Sequence, residues 1–130
     1  MFEILMRKYH PKIIERLEQS EITTDLYLIE WFFTLYGRAF DIDIVSKIWD
    51  YILIFGLEFV IYKIALTLFS LMENDLLKCK SSDYLLSIIK EYTGLVQPNL
   101  LFKAFSQHKL QNEEFSKLLR DTLDRFYLNK

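Results

Sequence analysis

The segment from Glu58 to about Leu77 constrains the fold most, because its apolar residues lie on nearly every side of a helix. Lys63 is the only charged residue between Phe59 and Met72. A helix with this pattern is normally enclosed by other helices or by lipid. The apolar run is shorter than the roughly 20 residues that a membrane-spanning helix needs. We therefore predict no direct membrane span, and a central helix surrounded by the rest of the chain.

The composition favours a helical domain and excludes several other classes of protein. Of the 130 residues, 52% are hydrophobic, which is enough for a core, while three Gly and two Pro are too few for a turn-rich β domain. The formal net charge is −2 and basic residues do not cluster, which excludes the usual nucleic-acid-binding protein. The single Cys79 excludes an internal disulfide and fits a reducing compartment. The first residues lack a signal-peptide pattern.

Apolar spacing and helix-ending residues divide the chain into eight helical segments, and no segment has the alternation of a strand. We expect helices at about residues 2–9, 11–19, 25–40, 42–55, 58–77, 83–93, 98–105 and 113–126. Gly56 follows the last apolar turn of the fourth helix, where glycine can adopt a positive φ, and the sixth helix should stop before Gly94. Phe33 and Trp49 are assigned to the core with the other central aromatic residues. The predicted fold class is all-α, with irregular helix packing.

Few polar side chains form a pattern that enzyme chemistry requires. His10 and His108 lie far apart and outside any zinc-binding spacing, so we predict that both are surface residues. Cys79 lies between two lysines but has no histidine nearby in sequence, and we interpret it as an incidental thiol. The chain contains no phosphate-binding loop, dinucleotide-binding motif or nucleophile elbow. We therefore assign no catalytic, cofactor-binding or metal-binding residue.

The middle of the chain carries a series of motifs in a defined order, which are Trp31-Phe32-Phe33-Thr34-Leu35-Tyr36, Ile48-Trp49-Asp50 and Gly56-Leu57-Glu58-Phe59. This series resembles the C-terminal half of the TBC domain, the GTPase-activating domain for Rab-type small GTPases. Upstream, Pro11-x-Ile13-x-x-x-Leu17 is similar to the family's P-x-L-x-x-H-L segment, with Arg16 in place of histidine. The resemblance is clearest over residues 11–77. It implies that residues 1–130 form a single helical domain, the C-terminal TBC lobe.

The resemblance also implies a mechanism that this chain does not complete. TBC domains supply to the GTPase an arginine from an I-x-x-D-x-x-R motif and a glutamine from a Y-x-Q motif. An arginine of this kind is worth roughly 10³ to 10⁵ in hydrolysis rate. The chain has no Y-x-Q, and its Ile22-Thr23-Thr24-Asp25-Leu26-Tyr27-Leu28 has leucine at the arginine position. That segment also lies downstream of Pro11, on the wrong side, so we treat it as a coincidence. The motif fits none of the arginines in the chain, which are Arg7, Arg16, Arg38, Arg120 and Arg125.

From the resemblance we expect the C-terminal part of a GTPase-activating protein for Rab-family small GTPases in vesicle trafficking and intracellular protein transport. The Rab partner would bring GTP and Mg²⁺, the chain itself would need no cofactor, and the chain alone would be inactive. We expect a cytoplasmic protein, peripheral at endomembranes. The alternative is a non-catalytic helical scaffold that binds other proteins. Two questions stay open: whether the chain is cut from a longer domain, and whether it self-associates through the face left by a missing first lobe.

Overall fold

The computed structural model describes residues 1–128 and confirms the all-α prediction for them. Within this range there are eight helices and no strand. The helices are α1 (Phe2–Tyr9), α2 (Pro11–Gln19), α3 (Asp25–Phe33), α4 (Ile42–Phe55), α5 (Leu57–Lys78), α6 (Ser82–Leu95), α7 (Pro98–Gln107) and α8 (Asn112–Leu128). In this part of the chain, no helix is both long and apolar enough to cross a bilayer.

Helix α5 lies at the centre of the molecule, as its all-round apolar pattern predicts. It packs against α1, α2, α4, α6, α7 and α8, while α3 packs against α6. Its buried side chains point to every side of the helix, and Val60, Ile64, Leu68 and Met72 have no exposed surface. Burial of these apolar side chains is a large contribution to the stability of the fold.

An aromatic cluster joins α3 to α1 and α5. The ring of Tyr27 lies 5.3 Å from that of Phe69 and 5.4 Å from that of Trp31, and Phe2 contacts both Tyr27 and Phe69. Most of these pairs are tilted or edge-to-face, the arrangements that aromatic quadrupoles favour. The Tyr27 hydroxyl is buried without a hydrogen-bond partner, and burial raises its pKa. The cluster therefore fixes α3 mainly by ring packing.

The third helix is shorter than predicted, since it ends at Phe33 and not near Phe40. Leu35 and Tyr36 have positive φ angles of 49° and 65°, which end the helix in a left-handed turn. The amide of Tyr36 donates to the Trp31 carbonyl at 2.7 Å. The turn directs the Tyr36 side chain into the core, where its hydroxyl donates to the Ile61 carbonyl at 2.6 Å. Burial of this ring and its hydrogen bond offset the strain of the turn.

The two glycine predictions have different outcomes. Gly56 has φ +99° between α4 and α5, so the predicted reversal of the chain at this residue is confirmed. The prediction for Gly94 is wrong, because α6 continues through it to Leu95. Gly94 faces open space, and the helix ends only where Pro98 restricts the preceding residues to extended conformations.

Candidate functional site

One side of α4 presents apolar side chains to solvent. Ile42, Trp49 and Leu53 occur at positions i, i+7 and i+11, which lie within about 40° of one another around a helix. Their exposed fractions are 73%, 47% and 86%. We call these three residues the α4 face. The opposite side of the helix is buried through Ile44 and Ile48. Exposed large apolar side chains that share one side of a helix are typical of an interaction surface.

The core assignments of Trp49 and Phe33 are therefore wrong. The Trp49 ring is half-exposed, and its Nε1 donates to the Leu35 carbonyl at 3.0 Å. Phe33 is 84% exposed, because α3 ends there and its ring lies on the side away from α5. A side chain on Gly37 would approach the Thr34 carbonyl to 2.9 Å. Trp49 thus stabilises the connection between α3 and α4 by a hydrogen bond at the surface. The same connection has no room for a side chain at Gly37.

Residues 22–28, whose sequence is similar to the catalytic arginine motif, form the start of α3 and the connection before it. Ile22 is half-buried against the core, and the Thr23 hydroxyl donates to the Asp25 carboxylate at the start of the helix. Leu28 is half-buried and packs against the core. Each residue of this segment has a structural contact in the helix start. That this segment is a coincidental match to the motif stays a prediction.

The arginines are distributed over the molecule. Arg7 pairs with Glu18 and joins α1 to α2. Arg16 donates to the Cys79 carbonyl at 3.0 Å, while the Cys79 thiol donates to the Ser81 carbonyl. Arg38 is exposed in the connection before α4, and the remaining arginines, which are Arg120 and Arg125, are exposed on α8. The assignment of no catalytic residue stays a prediction.

The two histidines meet in space, so the prediction of two separate surface residues is wrong. His10 is buried with 7% exposure, and its Nε2 lies 3.2 Å from Nε2 of His108. His10 precedes Pro11, which keeps it out of helical geometry and lets its ring turn inward from the junction of α1 and α2. His108 ends α7, and the ring of Tyr9 packs edge-on against it at 5.2 Å. We call His10 and His108 the histidine pair.

Hydrogen bonding fixes the protons of the histidine pair. The amide of Leu110 donates to Nδ1 of His108, so this nitrogen carries no proton. The proton of neutral His108 is then on Nε2 and points at the lone pair of His10 Nε2. A metal ion bound to Nε2 would require a proton on Nδ1 of His108, in conflict with the Leu110 amide. Residues 1–128 contain no group of three potential ligands, and the pair therefore links two neutral rings.

Burial is the main effect that opposes protonation of the histidine pair. Burial, followed by the charges of His10, Lys63 and Lys109, lowers the pKa of His108 from 6.5 to about 4. Burial also lowers the pKa of His10, although Glu73 acts in the opposite direction. Both rings are therefore neutral near pH 7.

A polar contact next to the histidine pair joins α1 to α8. Tyr9 donates to the Glu114 carboxylate at 2.5 Å, and Lys8 pairs with the same group. The Lys8 and Tyr9 hydrogen bonds lower the pKa of Glu114. The pKa of Tyr9 is raised, first by burial and then by its bond to Glu114. The end of α1 is thus held to the last helix by a charge-assisted contact.

A second unusual group is Lys63 in the middle of α5, which is 5% exposed. Its Nζ lies over two aromatic rings, 4.8 Å from the centre of Phe105 and 5.4 Å from that of Phe59. These rings line a cavity of about 330 Å³, which is open to solvent at one side. Burial lowers the pKa of Lys63. A signal for this site was present in the sequence, since a lone charge in a helix that is apolar on all sides must be buried.

The amino-acid sequence matches known proteins over its first part. A model of the Rab-GTPase-TBC domain matches residues 1–77. TBC1 domain family member 4 of Mus musculus is 34% identical over 86 residues, which are 66% of this chain and 6% of the relative. TBC1 domain family member 14 of Homo sapiens is 35% identical over 77 residues, covering 59% of this chain and 11% of the relative. Drainin of Dictyostelium discoideum is 27% identical over 109 residues, covering 84% of this chain and 25% of the relative.

The chain spans only about a tenth or less of the length of the first two of these relatives. No solved structure matches it significantly. The family model nevertheless covers more than half of the chain, and it contains the three motifs of α3, α4 and the start of α5. The chain belongs to the Rab-GTPase-TBC domain family.

Proposed function

We propose that this chain is the C-terminal lobe of a GTPase-activating domain that acts on a Rab-type small GTPase in vesicle trafficking. The match of residues 1–77 to the Rab-GTPase-TBC domain carries the proposal. The GTPase would bring GTP and Mg²⁺, and the chain would act in the cytoplasm and at the surface of endomembranes. Its contribution would be to complete the domain and support the catalytic part.

The catalytic groups would come from another part of the domain. The sequence lacks both the I-x-x-D-x-x-R and the Y-x-Q motif. We propose that the α4 face packs against the part of the domain that supplies them. Its exposed apolar residues, Ile42, Trp49 and Leu53, support a contact with another polypeptide surface. In the absence of that part, the chain should bind a Rab without accelerating hydrolysis.

A single-turnover assay with GTP-loaded Rab proteins tests this proposal. The chain alone should raise the rate by less than about tenfold, because an arginine finger is worth roughly 10³ to 10⁵. A chimaera in which this chain replaces the aligned segment of TBC1 domain family member 14 should be active. A larger acceleration by the chain alone, abolished by substitution of one of its arginines, would show that the catalytic assignment is wrong.

A matched pair of variants tests the α4 face in the chimaera. Leu53→Asp should abolish most of the activity, because it places a charge in the proposed contact. Leu95→Asp is the control, since Leu95 is 72% exposed on α6, away from this face. Equal effects of the two substitutions would exclude the α4 face as the contact.

The second candidate function is a non-catalytic helical module that binds other proteins. The same α4 face favours it, because an exposed apolar stripe needs no catalytic group to bind a partner. A second copy of the chain is one such partner. The chimaera separates the two functions: an inactive but folded chimaera, together with a concentration-dependent dimer of the chain that Leu53→Asp disrupts, would favour the module.

A further inference from the structure

We propose that the cavity next to Lys63 is a binding site for a small organic carboxylate with an apolar body. The lining of this cavity contains no residue of the α4 face or of the histidine pair, although the charge of Lys63 acts on His108. It rests on the burial of an unpaired cation, on the aromatic walls of the cavity and on the size of the space.

The first observation is a lysine that is only 5% exposed and whose ammonium group has no anionic partner in the part of the chain that the structure describes. The ion pairs within residues 1–128 are Arg7 with Glu18 and Lys8 with Glu114, and Lys63 takes part in neither. Its backbone carbonyl accepts a hydrogen bond from Thr67, while its Nζ lies over the faces of Phe59 and Phe105 at the cavity. A cation in such largely apolar surroundings is poorly solvated, and an anion that joins it there stabilises the charged form. The lowered pKa of Lys63 is the expected consequence of the same burial.

The second observation is the shape and chemistry of the cavity. Four aromatic rings line it, namely those of Tyr51, Phe55, Phe59 and Phe105. Its polar boundary consists of Ser106, Gln111 and Asn112, and the Asn112 amide donates to the Phe55 carbonyl at 3.3 Å. The volume is near the lower limit of about 300 Å³ for small-molecule sites. The walls therefore suit a compact apolar body, with an anionic end at Nζ.

The charge of the site selects a carboxylate over a phosphate. One lysine can balance one negative charge, whereas a phosphate dianion would bring a second charge into the aromatic surroundings without a partner. A phosphate site normally offers several donors, such as an arginine fork or a helix N-terminus. Here Lys63 is the only cation in the lining, and the other polar lining residues, Ser106, Gln111 and Asn112, are uncharged. A monoanionic acid with an aryl or short alkyl chain satisfies both requirements.

Calorimetric titration with 3-phenylpropionate tests the site directly. The neutral control ligand is 3-phenylpropanol, which has the same apolar body without the charge. The acid should bind the unmodified protein at least about tenfold more tightly than the alcohol, since a charge-assisted hydrogen bond is worth about this factor or more. Equal affinity for the two ligands, or no binding of the acid at millimolar concentration, would overturn the proposal.

Two lysine variants show whether Lys63 provides the selectivity. Lys63→Met keeps the length and the apolar stem, and it should weaken binding of the acid by about tenfold while leaving the alcohol unchanged. Lys47→Met is the matched control, because Nζ of Lys47 also lies over an aromatic ring, at 4.6 Å from the centre of Phe102, but the residue is exposed and does not line the cavity. Similar loss of acid binding in both variants would contradict the assignment.

A measurement on the unmodified protein keeps the test valid if Lys63→Met does not fold. NMR of lysines labelled at Cε follows the titration of each ammonium group. Bound 3-phenylpropionate should raise the pKa of Lys63, since an adjacent anion favours the charged form. A Lys63 signal that does not respond to the acid would exclude this residue as the anion-binding group.

Discussion

Single side chains in this protein have roles that their residue type alone does not indicate. Tyr36 is buried with a positive φ and uses its hydroxyl to reach the backbone of α5. Trp49 is the most distinctive residue of its helix, yet it lies half in solvent and contributes a hydrogen bond at the surface. The residues that characterise the family are therefore divided between core packing and the support of one turn.

The Tyr36 hydroxyl should contribute measurably to stability. We expect Tyr36→Phe to lower the free energy of unfolding by about 1–2 kcal/mol, because the buried Ile61 carbonyl loses a donor. Urea denaturation monitored by circular dichroism measures the change. Tyr84→Phe removes a hydroxyl from an exposed ring and should change stability by less than about 0.5 kcal/mol. Equal effects would mean that the Tyr36 bond is energetically unimportant.

The two tryptophans should differ in their contribution to stability. Trp31 is buried among Tyr27, Tyr36 and Phe69, so Trp31→Ala should cost about 3–5 kcal/mol. Trp49→Ala should cost about 1–2 kcal/mol, the value of a lost hydrogen bond and a half-exposed ring. Urea denaturation of the two variants in parallel measures the loss of stability in each. A larger loss for Trp49→Ala than for Trp31→Ala would contradict the half-exposed position of the Trp49 ring.

At the scale of the helices, the periodicity of apolar residues predicts well which segments are helical and approximately where each helix begins and ends. The segment that became α5 was predictable because its apolar pattern admits only a central position. The end of α3 was not, because Leu35 and Tyr36 are good helix residues by composition, and only the burial of Tyr36 against α5 favours the left-handed turn. Periodicity also failed for Trp49, since α4 has apolar residues on more than one side and tertiary packing decides which side is buried.

The two helix-associated glycines should respond in opposite directions to alanine. Gly56→Ala forces a Cβ into a conformation with φ +99° and should cost about 1–3 kcal/mol. Gly94→Ala lies in a helix and faces open space, so it should stabilise the protein by about 0.5–1 kcal/mol. Thermal melts of the two variants provide the comparison. Destabilisation by Gly94→Ala would show that α6 ends earlier than residue 95.

At the scale of the whole molecule, the important contacts join distant parts of the chain. His10 and His108 are 98 residues apart, and Lys8 and Glu114 are 106 residues apart. Local patterns hold no information on such pairs, which explains why the histidines were predicted as separate surface residues. The Lys63 cavity is similar, because α4, α5, α7 and α8 all contribute to its walls.

The histidine pair should make stability depend on pH. Both pKa values are lowered on folding, so the unfolded chain binds protons more readily as the pH falls below 6.5. The contribution of the histidine pair to the free energy of unfolding is fully present above pH 6.5. It decreases as the pH falls towards about 4. The groups that face the pair are Glu73 and Lys63 from α5, Tyr9 from α1, and Lys109.

Denaturation by urea at pH 7 and pH 5 measures this effect before most carboxylates titrate. The unmodified protein should lose stability at pH 5. His108→Asn can keep an acceptor for the Leu110 amide but cannot titrate, so it should lose less. An identical loss in both proteins would assign the pH dependence to other groups.

The contact of α1 with α7 and α8 also concerns the order of folding. Closing a loop of about a hundred residues has a large entropic cost, which must be met before Lys8, Tyr9 and His10 reach Glu114 and His108. We therefore expect α2, α4, α6 and α7 to assemble around α5 first, and α1 and α8 to join each other last. In hydrogen exchange, the amides of α1 and α8 should then become accessible together, in one opening event, while those of α5 stay protected until the whole molecule unfolds.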